Sequence, residues 1–279
     1  MAQWIPIASL ALFALAGCAA NDAHGAPAPL IIGFDIASPP LFDVKNGCPT
    51  GIYPLLVGAI VRDARQAMMA YPAPFSRVLV NLDSGEWGAG GILKTPARLE
   101  KYDFSDPIYA ETIVVYFNKA KSRPINTMAE LAGKRVGVVR GWSYGKELDA
   151  LGARHYFVVE PANADVINFK KLQTGRIDAL LTLKEVGVHL MSSGAFNELS
   201  PSAIPVQSSQ TYIAFNKKSQ HADVLLRLNS SINKLQASGQ LSELVNQYLK
   251  RLQLTQASRA AVALPGSVAD QLKKAGCPL

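Results

Sequence analysis

The feature that most constrains the fold is an alternation of short apolar runs with longer stretches whose apolar residues recur at helical spacing. Leu30-Ile31-Ile32-Gly33-Phe34 has strand length and stops at Asp35, just before the turn-forming Ser38-Pro39-Pro40. From Ile52 to Met69, residues such as Ile52, Leu55, Leu56, Ala59 and Ile60 fall on one helical face. Val78–Leu82 reads as a second strand, followed by a glycine-rich passage, Gly85–Gly91, that contains Trp87. Strand, helix and strand in this order build a βαβ unit around a parallel sheet. Ligands of such sheets sit beyond the carboxyl ends of the strands. Asp35 and the Gly90–Thr95 segment, with Gly91, Leu93 and Thr95, would lie there.

A second unit follows Lys119. Thr127 and Glu130 have capping-box spacing for a short helix within Ile125–Gly133. Lys134–Arg140 reads as a strand running into Gly141-Trp142-Ser143-Tyr144-Gly145, with a helix from Lys146. A glycine turn at that place aims free backbone N–H groups at whatever occupies the cleft. Phe157–Val159 is a strand, Val166–Thr174 a helix, and Gly175–Leu181 turns into another strand. The chain then returns through a strand at Thr211–Phe215 and a helical stretch, Ala222–Leu252, divided by Gly239. The expected fold is α/β with two lobes. Residues 29–117 and 213–279 form the first, discontinuous lobe, and 118–212 form the second. They are joined at crossings near Asn118–Lys119 and Ser208–Tyr212, and two crossings make a hinge. No sequence repeat relates the lobes.

Residues 1–28 read as an export signal and linker. Ile5–Ala16 carries no charge and is shorter than the roughly 20 residues of a membrane helix. Leu15-Ala16-Gly17-Cys18 has the form of a lipobox, with cleavage before Cys18 and lipid on its sulfur. Ordinary signal-peptidase cleavage among the Ala and Gly residues up to Ala28 is the other reading. Both place the protein in the periplasm, and the first adds a membrane anchor. The net charge of +7 is scattered rather than gathered into a stripe, so no nucleic-acid partner is expected, and the mild field favours an anionic ligand. With Cys18 acylated, Cys48 and Cys277 remain as an even pair in an oxidising compartment, and a disulfide is expected. His24, His155, His189 and His221 stand far apart and there is no Cys-x-x-Cys, so neither a metal site nor a cofactor is expected. A monomer is expected.

The candidate site centres on Lys94-Thr95-Pro96-Ala97-Arg98. Thr95 suits an N-cap and Pro96 the first helical position, which places Arg98 in the first turn, where the helix dipole opposes a cation. A guanidinium in that place suits an anion, because its planar fork matches a carboxylate bidentately. Thr95-Pro96-Ala97-Arg98 followed by Phe104-Ser105-Asp106-Pro107 and Tyr109 resembles the Thr-x-x-Arg…Phe-Ser-x-Pro-Tyr signature of the family 3 periplasmic solute-binding proteins. Asn126–Gly141, Leu172–Ala179 and Ser238–Leu241 with Tyr248 resemble further segments of that family, in the same order.

The resemblance implies a type II periplasmic-binding-protein fold, with the two crossing strands as hinge. It also implies delivery of a small solute to the membrane permease of an ABC transporter, or to a receptor, with Arg98 holding the solute's carboxylate. Three positions depart from the family pattern. Leu183 stands where an aspartate usually pairs the ligand ammonium, Ser38 where an aromatic ring usually stacks, and Trp142 where a threonine usually helps hold the carboxylate. Because leucine cannot pair an ammonium, ordinary polar α-amino acids are expected to bind poorly, unless Asp35 supplies the missing partner. Trp87, Trp142 and Tyr144 are expected as apolar walls, beside Ser143. The alternative is a periplasmic lyase similar to the cyclohexadienyl dehydratases, which share this fold, with Glu185 as the candidate catalytic carboxylate.

Overall fold

Leu30, Ile32 and Phe34 are buried, and their run becomes β1 (Leu30–Phe34), the middle of the first lobe's sheet. The computed structural model describes residues 28–36, 38–203, 205–260 and 277–278. The stretch expected to be an export signal, with Cys18, lies outside the described residues. After β1 come the hairpin β2 (Asp43–Lys45) and β3 (Cys48–Thr50), then α1 (Ile52–Asp63), β4 (Met68–Pro72), α2 (Phe75–Ser84) and β5 (Gly88–Leu93). A short α3 (Pro96–Lys101) and β6 (Tyr102–Phe104) lead into the long β7 (Tyr109–Asn118). The second lobe holds β8 (Arg135–Val139), α4 (Lys146–Ala153), β9 (Val158–Ala162), α5 (Asp165–Thr174), β10 (Ala179–Leu183), α6 (Lys184–Met191) and β11 (Leu199–Pro201). The long β12 (Gln207–Asn216) returns to the first lobe, followed by α7 (Ala222–Ala237), α8 (Gln240–Ala260) and β13 (Cys277–Pro278).

The main path of the sheet runs β13-β4-β1-β5-β12-β7-β10-β8-β9. On one side β4, β1 and β5 are parallel, and on the other so are β9, β8 and β10. Counted in chain order, each lobe therefore has its first parallel strand flanked by its second and third. That arrangement puts a switch point, and hence a crevice, at the strands' carboxyl ends. Between the two sets lie β7 and β12, antiparallel to each other over Tyr109–Ile113 and Gln207–Thr211.

The first crossing falls earlier than expected. Ile113–Tyr116 are already in register with Leu180–Leu183 of β10, so the chain has entered the second lobe well before Asn118–Lys119. Two local expectations also change. Val78–Leu82 is part of helix α2, because Phe75, Val78 and Leu82 are buried on one side while Val80 is 60% exposed, a helical and not a strand spacing. The helix expected to reach Met69 ends at Asp63: the chain turns at Ala64–Arg65, Arg65 in the left-handed region, and Met68 opens β4. The strand missed there is the one that pairs with β1. Gly239, at φ 73°, separates α7 from α8.

Cys48 at the start of β3 is disulfide-bonded. β3 packs beside β4, and β13 adds antiparallel to β4 with Cys277 opposite Ala70. We propose Cys277 as the partner, a bridge confined to the first lobe and so no obstacle to hinge motion. Thiol counting in denaturant on protein from an oxidising compartment should find neither cysteine free. Cys277→Ser should lower stability by about 2–4 kcal/mol. A free thiol at Cys277 in the native protein would contradict the pairing.

Candidate functional site

The carboxyl ends of strands from both lobes face one another, and the loops that follow them carry polar and aromatic side chains into the gap. After β5, Thr95 caps α3 by accepting from the Arg98 N–H at 3.2 Å, with Pro96 in the first turn. That cap holds Arg98 at the cleft. Its Nη1 donates to the Leu93 carbonyl at 3.0 Å, and its Nη2 donates across the cleft to the Gly141 carbonyl at 3.2 Å. The guanidinium carbon lies 5.7 Å from the centre of the Phe75 ring. Among the described residues the four ion pairs leave Arg98 out, and burial lowers its pKa from the ordinary value. Two carbonyl oxygens take one N–H each without neutralising its charge, and Asp149 attracts it from beyond ion-pair distance.

Two further bonds tie the lobes. Trp142 Nε1 donates to Asp35 Oδ2 at 3.0 Å, and Ser38 Oγ donates to Asp165 Oδ2 at 2.8 Å. Asp165, at the start of α5, also accepts from Thr182 Oγ1 at 2.8 Å. Burial pushes both carboxyls up to about 6, against the hydrogen bonds that favour their ionised forms. The Trp142 indole meets the rings of Phe42 and Phe75 edge-on, at 6.2 and 6.4 Å. The lobes are closed on each other. The space left between them measures about 20 Å³, room for one water-sized molecule, and is lined by Phe42, Phe75, Gly91, Leu93, Arg98, Glu111, Trp142 and Ser143. A larger hollow of about 820 Å³ lies on the first lobe between α1 and α8, away from these loops.

Gly91, at φ 77°, lies against the Tyr53 ring; a Cβ there would fall 2.6 Å from Tyr53 Cγ. Tyr53 in turn bonds Glu111, a buried carboxyl on β7. Among the described residues Glu111 has no basic partner, and burial, aided by the neighbouring Glu185, pushes it up to about 8.

The structure thus brings Arg98, Gly91, Leu93, Trp142 and Ser143 to one cavity, with Asp35 and Ser38 at the adjoining lobe contacts. It places the remaining candidates elsewhere. Trp87 stacks on Tyr71 at 5.3 Å and lies against Gly33, outside the cavity lining. Tyr144 folds back into the second lobe, its hydroxyl accepting from the Val139 N–H at 2.8 Å. Glu185 accepts from the Tyr109 hydroxyl at 3.1 Å and lines a separate hollow beside α8. Phe42, Phe75, Glu111 and Asp165 were not found from the sequence. Glu111 had a signal: it is the one charged residue within the run Tyr109–Phe117.

The lobe contacts make closure sensitive to pH. Asp35 and Asp165 hold a proton more tightly in the closed form than they would in water-exposed, parted lobes. Closure of the ligand-free protein is therefore most favourable at low pH and weakens through these two groups as pH rises from 3.8 to about 6, and through Glu111 up to about 8. Small-angle scattering should show a larger radius of gyration at pH 7 than at pH 4.5, with Asp35→Asn reducing the difference. Equal radii at both pH values would contradict this.

The match with known proteins covers both lobes. The L-cystine-binding protein TcyJ of Escherichia coli strain K12 is 25% identical over 77% of this chain and 80% of its own length. The arginine-binding extracellular protein ArtP of Bacillus subtilis strain 168 is 24% identical over 88% of this chain and 96% of its own. The amino acid ABC transporter substrate-binding protein AbpA of Streptococcus pneumoniae, solved with L-arginine, superposes with a TM-score of 0.67 at 21% identity, covering 80% of this chain and 95% of that one. Its likeness shows the same two-lobed α/β fold. Among the described residues no helix is long and apolar enough to cross a membrane. A family model matches residues 30–251, from the first strand through the hinge and into the last long helix, and the chain belongs to the bacterial extracellular solute-binding proteins, family 3.

Proposed function

We propose that this protein captures a small carboxylate-bearing solute, an amino acid, between its lobes and delivers it to an ABC-type permease. The observation that carries this is Arg98, a guanidinium shared between carbonyls of both lobes and in no ion pair among the described residues. A ligand carboxylate would take the fork those carbonyls now share, and bind both lobes through it. The relatives named for L-cystine and arginine support an amino acid. The wall chemistry supports it too. Asp35, Glu111 and Asp165 lie at or beside the gap with Arg98 as the cationic lining residue, so an anionic ligand gains nothing beyond its carboxylate. The expectation that common amino acids bind poorly rested on Leu183 alone and is not carried forward. Export to the periplasm, a lipid anchor at Cys18 and a monomeric state belong to the same proposal. The lyase alternative has no observation in its favour, since Glu185 lies outside the cavity lining.

Calorimetry with the twenty common L-α-amino acids and L-cystine tests the proposal. At least one should bind with a micromolar or tighter Kd. Arg98→Ala should weaken it by about 100-fold or more, since leaving a buried charge unpaired costs about 2–5 kcal/mol. Arg98→Lys should recover only part of the loss, the bidentate fork being gone. An alanine variant that binds as tightly as the wild type would overturn the assignment.

A further inference from the structure

Glu111 sits in a chain of oxygen contacts whose protons can be counted. Its Oε1 meets the Tyr53 hydroxyl, that hydroxyl meets Thr211 Oγ1 at 3.1 Å, and Thr211 Oγ1 meets the Tyr109 carbonyl at 3.1 Å. Each of the three contacts needs one proton, and a carbonyl brings none. Tyr53 and Thr211 supply one each. The third is available when Glu111 is a neutral acid, donating to Tyr53, which donates to Thr211, which donates to Tyr109. An ionised Glu111 leaves one contact without a proton. The closed structure therefore holds Glu111 protonated, 5% exposed and facing the same small cavity as Arg98.

The charged and titratable groups that face it give the same answer. Tyr53 approaches from α1, Tyr109 from its own strand, Glu185 from α6 and Tyr144 from the loop after β8, none of them cationic. Arg98 lies across the cavity and forms no ion pair with it among the described residues. At one end of the site there is a cation in no ion pair among the described residues, with Asp149 acting on it only from a distance, and at the other an acid that has kept its proton for want of a cation. A zwitterion would complete both ends.

Resting on the reading that Arg98 takes a carboxylate, we infer that Glu111 receives the ligand's ammonium group and releases its own proton to solvent as the ligand binds. The carboxyl O–H breaks, the proton passes to bulk buffer, and a carboxylate–ammonium pair forms. Tyr53 then turns its hydroxyl proton onto the new carboxylate, which places the position of Tyr53, and of Gly91 beneath its ring, in the service of ligand choice. Leu183 follows from the same geometry. It pairs with Ile113, two residues along β7 from Glu111 and on the same face, so a second carboxylate at 183 would crowd the first.

The test is calorimetry at pH 7 in phosphate and in Tris, whose heats of ionisation differ, using the tightest binder among the twenty common L-α-amino acids and its amine-free carboxylic acid. Binding of the amino acid should release about one proton, and its affinity should rise about tenfold per pH unit between 6.5 and 7.5, since Glu111 titrates near 8. The amine-free acid should bind with no proton release. Glu111→Gln should abolish the proton release and the pH slope, weaken the amino acid at least about 30-fold, and leave the amine-free acid within about twofold. Retained proton release in the glutamine variant overturns the inference, because Asp35 or Asp165 would then be its source. Proton release by the amine-free acid overturns it as well. If amine-free acids bind through Arg98 while no amino acid does, the inference fails and the carboxylate reading stands; if neither binds, both fail. Proton release and amine dependence are read on the wild-type protein, so a glutamine variant that does not fold leaves the test intact.

Discussion

A guanidinium taken out of water must be given something in exchange, and this molecule gives Arg98 only carbonyl oxygens. Leu93 and Gly141, one from each lobe, each accept one of its N–H groups and leave a positive charge in a gap with room for one water-sized molecule. Burying a charge without a partner costs several kcal/mol. The cost is tolerable here because the gap is a hinge, and parting the lobes returns the guanidinium to water. Much else follows from that one unpaired charge. Thr95 and Pro96 fix the turn that presents it, Phe75 offers it a ring face, and the return of the chain through β12 keeps the two carbonyl acceptors on separate lobes.

The paired long strands make such a site workable. β12 pairs with β5 of the first parallel set, β7 pairs with β10 of the second, and the two pair with each other across the middle, so the lobes are held in register at the hinge. Each lobe repeats one strand order with no repeat in sequence, which reflects how few ways a short βαβ chain has to place a crevice at its strands' carboxyl ends. The two lobe contacts flanking Arg98 use carboxyls that prefer their protons when buried, Asp35 toward Trp142 and Asp165 toward Ser38. The ligand-free closed form is therefore most favourable when these acids are protonated.

The sequence was most legible where one local rule acted alone. Thr95 as cap, the capping box at Thr127 and Glu130, and Gly239 between two helices each follow from backbone chemistry within a few residues, and each stands where it was expected. Val78–Leu82 misled because five residues with one asparagine among four apolar ones fit a strand as well as a helix, and the burial of Phe75, three residues before it, with the exposure of Val80, separates the two. The cleft was legible at its backbone-anchored residues and opaque at its walls. Trp87 and Trp142 look alike in sequence, yet one packs on Tyr71 behind β1 and the other meets Asp35 across the gap. Glu111 escaped notice because a lone acid in an apolar strand has no local meaning; its meaning comes from Tyr53, 58 residues earlier, and from a cation on the opposite wall.

A crystal structure of the protein with its tightest-binding amino acid tests the central claim most directly. The account predicts the ligand carboxylate on the Arg98 guanidinium, with both oxygens at about 2.7–2.9 Å and the Gly141 carbonyl displaced from that fork. A ligand seated in the cleft with Arg98 still donating to Leu93 and Gly141, or a ligand bound outside the cleft altogether, would contradict it.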